Sequence, residues 1–443
     1  MTQKTRTPGG KAYMDHRALY QEKKTTVSGV LAHIESGDVI VGGTYACEPV
    51  TLFRQLHTIA PQVHDVTVWT GITKETYLFF SDDACRSSFF INSFFYDAQA
   101  RANHPGGRVS YIPAHLHQLS AEIARQKPDV FMAAVPPMDA EGYLHLSPVM
   151  QIEYEPCMAA KKRIFEINRR IPLLPGAKKV HISQVTCLIE ADCEISTVGE
   201  PEPSAVERQA AENAAALVRD GDTIQIGLGN LSNAAADALC GKYDLGIHTE
   251  ILCSATGRLM AKGVVNNSRK NFHPGKTVCS FVWGDQDFYD FIDRNPDIEL
   301  MPSSYVNDPY IIAQNHNMVS INTAVQIDLT GQICSESLGS RQYSGTGGAT
   351  DFAAGAYMSP GGRGIVVITS TAKNGTVSKI QPILSPGSVV SISRNWVDCI
   401  VTEYGVAHLR GTTIRQRVER LIAIAHPDFR GELRRQADNL MLW

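Results

Sequence analysis

Ile34–Glu35–Ser36–Gly37–Asp38–Val39–Ile40–Val41–Gly42 and Val218–Arg219–Asp220–Gly221–Asp222–Thr223–Ile224–Gln225–Ile226–Gly227 carry one pattern twice, Gly221 standing 184 positions after Gly37. Each copy reads as the end of a helix, a Gly-Asp turn, a β-branched strand, a glycine turn and then a helical stretch, Pro49 to Leu56 in the first and Asn233 to Leu239 in the second. Strand and helix signals go on alternating on both sides, with strands at 66–70, 130–134, 278–282 and 365–370 and helices at 120–126 and 418–424. That alternation predicts an α/β chain of two similar tandem domains with largely parallel sheets covered by helices. A Glu- and Pro-rich segment, 197–204, predicts a linker between a domain over 1–196 and another over 205–443.

The 443 residues exceed what one hydrophobic core usually organises, and 43% apolar content supplies a sizeable buried core. A net charge of −4 gives no basic field for nucleic acid. Lys161, Lys162, Arg163, Arg169, Arg170, Lys178 and Lys179 form the densest basic group, which reads either as a solvated face or as a phosphate contact. The 10 cysteines are scattered without zinc-ligand spacing, so reduced thiols and no metal are expected. The opening residues are polar and charged, and no later run reaches the roughly 18 apolar residues of a membrane span. A cytoplasmic location without a membrane partner is expected.

In open α/β sheets, ligands bind beyond the carboxyl ends of strands. Three loops of the second half belong there. Gly227–Leu228–Gly229–Asn230–Leu231–Ser232–Asn233 is a glycine turn leading into a helix, with Ser or Asn as its cap, and reads as a tight turn or as a ligand loop. Glu250 is a lone carboxylate in the apolar run from Leu245 to Leu252; it is either functional or a strand-end residue tied to His248 or a basic group. The segment from Glu336 to Phe352 holds Gly345, Gly347 and Gly348, which suit an oxyanion site of backbone N–H groups or a hairpin with a glycine bulge. There is no Gly-x-Ser-x-Gly elbow, Walker loop or His-Glu-x-x-His pair. A dehydrogenase reading of the glycine loop lacks the third glycine and the acidic residue of the dinucleotide fingerprint.

At these loops the sequence resembles the acetyl-CoA hydrolase/transferase family, most closely its 4-hydroxybutyrate and butyrate CoA-transferase branch. The likeness is carried in order by GDVIVGGTYACEP, PMDAEGY, RDGDTIQIGLGN, DLGIHTE, FIDRNPDIELMPSSYVNDP, INTAVQIDLTGQICSES, RQYSGTGG, VTEYGVAHLRG and IAHPDF. The resemblance implies an active site between the two domains and a CoA transferase that moves CoA between an acyl-CoA and a small carboxylic acid. Glu250 would be the nucleophile, forming a γ-glutamyl-CoA thioester. Gly227, Leu228, Gly229, Asn230 and Leu231 would hold CoA, as would Gly348 and Lys373. Gly347 and Gly348 would supply N–H groups near the thioester oxygen, and Asn307 would flank the reacting carbonyl. CoA is the co-substrate, and a homodimer is expected. With an ordinary carboxyl pKa near 4.3, Glu250 would be ionised at neutral pH. The family commonly has Gln after the paired glycines and Ser-Asp-Gly shortly after the catalytic Glu, where this chain has Ala349 and Cys253–Ser254–Ala255. An altered acceptor such as itaconate or succinate is one consequence, with Arg101, Arg108 or His104 meeting a second carboxylate. An acyl-CoA hydrolase using water as acceptor is the alternative, and a non-catalytic CoA-binding protein a further one.

Overall fold

The computed structural model describes residues 15–442. The opening residues read above for targeting therefore lie mostly outside the described residues.

The first half forms a seven-stranded sheet in the spatial order Val109–Tyr111, Phe89–Ser93, Val66–Thr70, Val39–Gly42, Val130–Val135, Lys162–Asn168 and Cys187–Ala191. Every neighbouring pair in it is parallel. The second half repeats the order with Ile298–Leu300, Thr277–Val282, Gly246–Leu252, Thr223–Ile226, Met318–Thr323, Arg363–Val367 and Cys399–Thr402, and adds the antiparallel edge strand Gly405–His408. In both sheets the first strand of the half lies at the centre, the next three run to one side and the rest to the other. The repeat seen in sequence is thus a repeat of topology. Strands such as Val130–Val135 and Thr277–Val282 are buried at every position, as parallel strands covered on both faces must be.

One apolar cluster runs through both halves, from Val41 and Phe131 to Ile247 and Phe281. Main-chain bonds reinforce it: Met150 N–H donates to Ser280 O at 2.8 Å, and Leu300 N–H to Pro175 O at 2.9 Å. The loops at the carboxyl ends of both sheets meet, since Tyr111, at the end of its strand, bonds Glu336 and Thr346, and Gly345 is packed against Phe94 and Phe95. Among the described residues, no helix is long and apolar enough to cross a membrane.

Candidate active site

Glu250 is the fifth residue of the strand Gly246–Leu252 and the one position of that strand not fully buried. Its backbone oxygen accepts from Ser280 Oγ at 2.9 Å on the next strand. Its carboxylate meets two groups from later segments: Asn307 Nδ2 lies 3.0 Å from Oε2, and the backbone of Gly348 lies against the same oxygen, its N–H favouring the charged form. Gly348 caps the ten-residue helix Ala349–Met358 with no side-chain capping bond, so the free N–H end of that helix faces the carboxylate.

A Cβ at position 348 would overlap Glu250 Oε2 and Asn307 Nδ2, so glycine there is a matter of space. Gly347 has φ of 55°, the left-handed region, and nothing within 4 Å of where its Cβ would be. The three residues expected at the reacting group are therefore together. Asn307 touches the carboxylate itself in the free chain, and its Oδ1 is buried without a partner.

Burial pushes the pKa of Glu250 up to about 7, and the charge of Asp351 adds to this, while the Asn307 and Gly348 bonds oppose it. This corrects the expectation of an ordinary carboxyl: near neutrality a large share of Glu250 is protonated. The cause is the enclosure of the strand end between the halves, which a sequence pattern does not convey. The rise amounts to roughly 3 kcal/mol that ionised Glu250 costs the fold.

Asp351 is 2% exposed, in the first turn of the helix that Gly348 caps. It accepts from the first half, with His117 Nδ1 at 2.8 Å and His117 N–H at 3.3 Å. His115 lies 3.7 Å from the same oxygen. The Asp351 bond raises the pKa of His117. Neither Asp351 nor His117 is singled out by local sequence, because they are 234 positions apart.

The glycine loop 227–231 follows the central strand Thr223–Ile226, immediately beside the strand of Glu250. It sits where the strand order reverses, which is where such sheets bind ligands. The helix begins at Asn230, with Gly229 at φ 118° before it and no side-chain cap, so the expected Ser or Asn cap is not there. Ser232 Oγ instead lies buried in the first turn without a partner. Leu228 and Leu231 pack against the shared cluster.

Lys373 is exposed in the turn after Thr371–Ala372, at φ 49°. It follows the strand Arg363–Val367, three places from the strand of Glu250, or about 14 Å across the sheet. Among the described residues, no group of three or more His, Cys, Asp or Glu side chains is arranged to hold a metal.

The two departures noted in sequence have packing partners of their own. Ala349 packs against the C-terminal cluster around Ile327 and Ile400. Ser254 Oγ accepts from Asp285 N–H at 3.1 Å, with Cys253 and Ala255 buried on either side.

The cations expected to meet a second carboxylate fare differently. Arg108 precedes the strand Val109–Tyr111, at the amino end of its sheet, and bonds Asp82 O at 3.0 Å, so it does not reach the site. His104 is bonded to Tyr96 OH. Arg101 does span the junction, with its guanidinium 4.5 Å from the ring centre of Tyr343. The basic group of the first half is spread over separate partners, such as Asp129 for Lys161 and Asp192 for Arg170.

Tyr45 was not anticipated. Read with the repeat, it is the counterpart of Gly229, and like Gly229 it has a positive φ, 51° against 118°. A tyrosine held in that conformation is strained, which requires compensation. It stacks on Phe281 at 4.5 Å and meets Trp283 edge-on at 5.2 Å. Burial and then the Glu250 charge push its hydroxyl pKa far up. The repeat alignment was the signal that could have found it.

Two largely parallel sheets whose strand-end loops meet, with a half-buried glutamate facing an amide and a glycine N–H, define an α/β enzyme suited to carboxylate chemistry. The profile of the acetyl-CoA hydrolase/transferase N-terminal domain matches residues 11–199, and that of the C-terminal domain matches residues 284–437. The chain belongs to the acetyl-CoA hydrolase/transferase family. It is 40% identical over 418 residues to succinyl-CoA:cyclohexane-1-carboxylate CoA transferase of Geobacter metallireducens, covering 94% of each chain. To 4-hydroxybutyrate coenzyme A transferase of Clostridium kluyveri it is 37% identical over 429 residues, covering 95% of this chain and 98% of that one. Among solved structures, RipA from Yersinia pestis is similar with a TM-score of 0.92 and 37% identity, over 97% of this chain and 100% of that one.

Proposed function

We propose that this chain is a CoA transferase that passes CoA from an acyl-CoA to a small carboxylic acid through a thioester on Glu250. The observation that carries the reading is the placement of the Glu250 carboxylate between Asn307 Nδ2 and the Gly348 N–H, at the open N-terminus of a helix. The near full-length relatives named as CoA transferases support it.

An oxygen of ionised Glu250 attacks the acyl carbonyl carbon and the CoA thiolate leaves, giving an acyl-glutamyl anhydride. The thiolate then attacks the glutamyl carbon and the first acid departs as its carboxylate. An acceptor carboxylate repeats the two steps in reverse. Oxyanions form at the acyl carbon and at the glutamyl carbon in turn. The N–H groups of Gly347 and Gly348 and the amide of Asn307 are the donors for them, each worth roughly 3–4 kcal/mol in acyl transfer. The loop 227–231, Gly348 and Lys373 take the CoA body. Acetyl-, butyryl- or succinyl-CoA are the proposed donors, and 4-hydroxybutyrate, butyrate or a dicarboxylate such as itaconate the acceptors. Of the cations considered for a second carboxylate, Arg101 is the one placed at the junction.

Two measurements test this. CoA exchange with varied acyl-CoA and acetate should give parallel double-reciprocal lines; CoA release that ignores acetate would mark a hydrolase instead. Because the attacking form is ionised, kcat/KM should rise with pH through about 7 and level off above it. Asp351→Asn, which removes the charge and can keep one of the two bonds from His117, should move that rise to lower pH. A rise centred near the ordinary glutamate range in the unsubstituted enzyme would contradict the assignment.

A further inference from the structure

His248 stands two residues before Glu250 on the same strand, so both side chains leave one face of the sheet. It is 0% exposed. Its Nε2 lies 2.9 Å from Val306 O. A carbonyl oxygen only accepts, so Nε2 carries the hydrogen and Nδ1, buried without a partner, carries none. Burial, and after it the charge of Lys270, push the pKa of His248 down to about 3, which keeps the ring neutral. His248 is therefore a single directed donor, and it is not the partner of Glu250 that the sequence left open.

Val306 is the last residue of the one-turn helix Ser303–Val306, whose final carbonyls lack partners within the helix. The next residue is Asn307. The amino end of this helix is held by Ser303 N–H to Met150 O at 3.1 Å and by Ser304 Oγ to Glu155 at 2.7 Å. His248 holds the other end. A ring is thereby closed: strand, His248, Val306, Asn307 and back to Glu250 on the same strand.

We propose that His248 is a positioning residue, whose bond to Val306 O fixes the helix end from which Asn307 reaches the Glu250 carboxylate. The inference deepens the reading of Glu250 as the transfer nucleophile and rests on it for its meaning, while its test does not require turnover. Asp351 and Tyr45 are the charged or titratable groups facing Glu250, and Lys270 and His273 those facing His248; none is changed in the test.

The test reads the ionisation of Glu250 through stability. The folded pKa of Glu250 lies above its unfolded one, so ionisation weakens the fold. Relative to Glu250→Gln, the unsubstituted chain should lose Tm as pH rises from about 4.5 to about 7 and hold a constant difference above that. With His248→Ala in both members of the pair, Asn307 no longer stabilises the ionised form, and the levelling point should move up by about half a pH unit or more. His248→Gln, which can keep a donor near Nε2, should return it. Asn307→Ala should reproduce the movement, and adding His248→Ala to Asn307→Ala should move it no further. An unmoved levelling point in His248→Ala, or effects of the two substitutions that add, would overturn the proposal. Should His248→Ala fail to fold, His248→Asn, with its donor too short to reach, takes its place with the same expected movement. If Glu250→Ala instead left exchange intact, the transferase reading would fall and this measurement would still stand by itself.

Discussion

Glu250→Ala is expected to lower CoA exchange by about four orders of magnitude or more, because it removes the carboxylate that the proposed mechanism joins to CoA. The substituted protein should fold, and above pH 7 Glu250→Gln should be the more stable chain, since the ionised carboxylate it removes is held in an enclosed site. Glu250→Asp draws the carboxylate back by one methylene. It would then lie away from Asn307 Nδ2 and Gly348, and a misplacement of that size costs on the order of a hundredfold. Steady-state exchange rates of the three variants decide the matter, and a Glu250→Ala enzyme of normal activity would remove the nucleophile from the account.

Gly348→Ala is expected to have the next largest effect. The added methyl would coincide with Glu250 Oε2 and Asn307 Nδ2, so either the helix start or the carboxylate must move. Both movements break the alignment of the Gly348 N–H with Glu250, and losing one such donor lowers kcat by roughly 10²–10³. Gly347→Ala supplies the contrast. There the methyl has open space, and the penalty is the left-handed φ of 55°, a stability loss of about 1 kcal/mol. Equal kcat losses in the two variants would mean that backbone strain, not contact with the carboxylate, accounts for both glycines.

The architecture could be read from the paired Gly-Asp turns because topology follows from order along the chain: a β-branched strand, a glycine turn and a helix, repeated, admit few arrangements. Glu250 stands out as a charge in an apolar strand, but that pattern suits a functional or a structural carboxylate alike, and only the family resemblance singles it out as the nucleophile. What local pattern could not supply was depth and partnership. The closure of the two halves over Glu250 raises its pKa, and that closure is made by residues far apart in sequence, such as Tyr111 with Thr346 and His117 with Asp351. The helix starts at Asn230, about a turn before the stretch from Asn233 that the sequence pattern marks, because Gly229 enters it through a positive φ and offers no capping side chain to recognise. The positive φ of Tyr45 is legible from the repeat, which sets it opposite Gly229. Arg108 shows the converse error: its charge suggested a role that its position at the amino end of its strand forbids.

The central claim is that the Glu250 carboxyl becomes joined to the sulfur of CoA during turnover. Its most direct test is mass spectrometry of the protein mixed with an acyl-CoA, quenched in acid and digested. The account predicts a gain of one CoA less one water on the peptide that contains Glu250, lost on treatment with hydroxylamine and replaced by the reduced alcohol after borohydride. An adduct on another residue, or an unmodified Glu250 peptide while exchange proceeds, would contradict it.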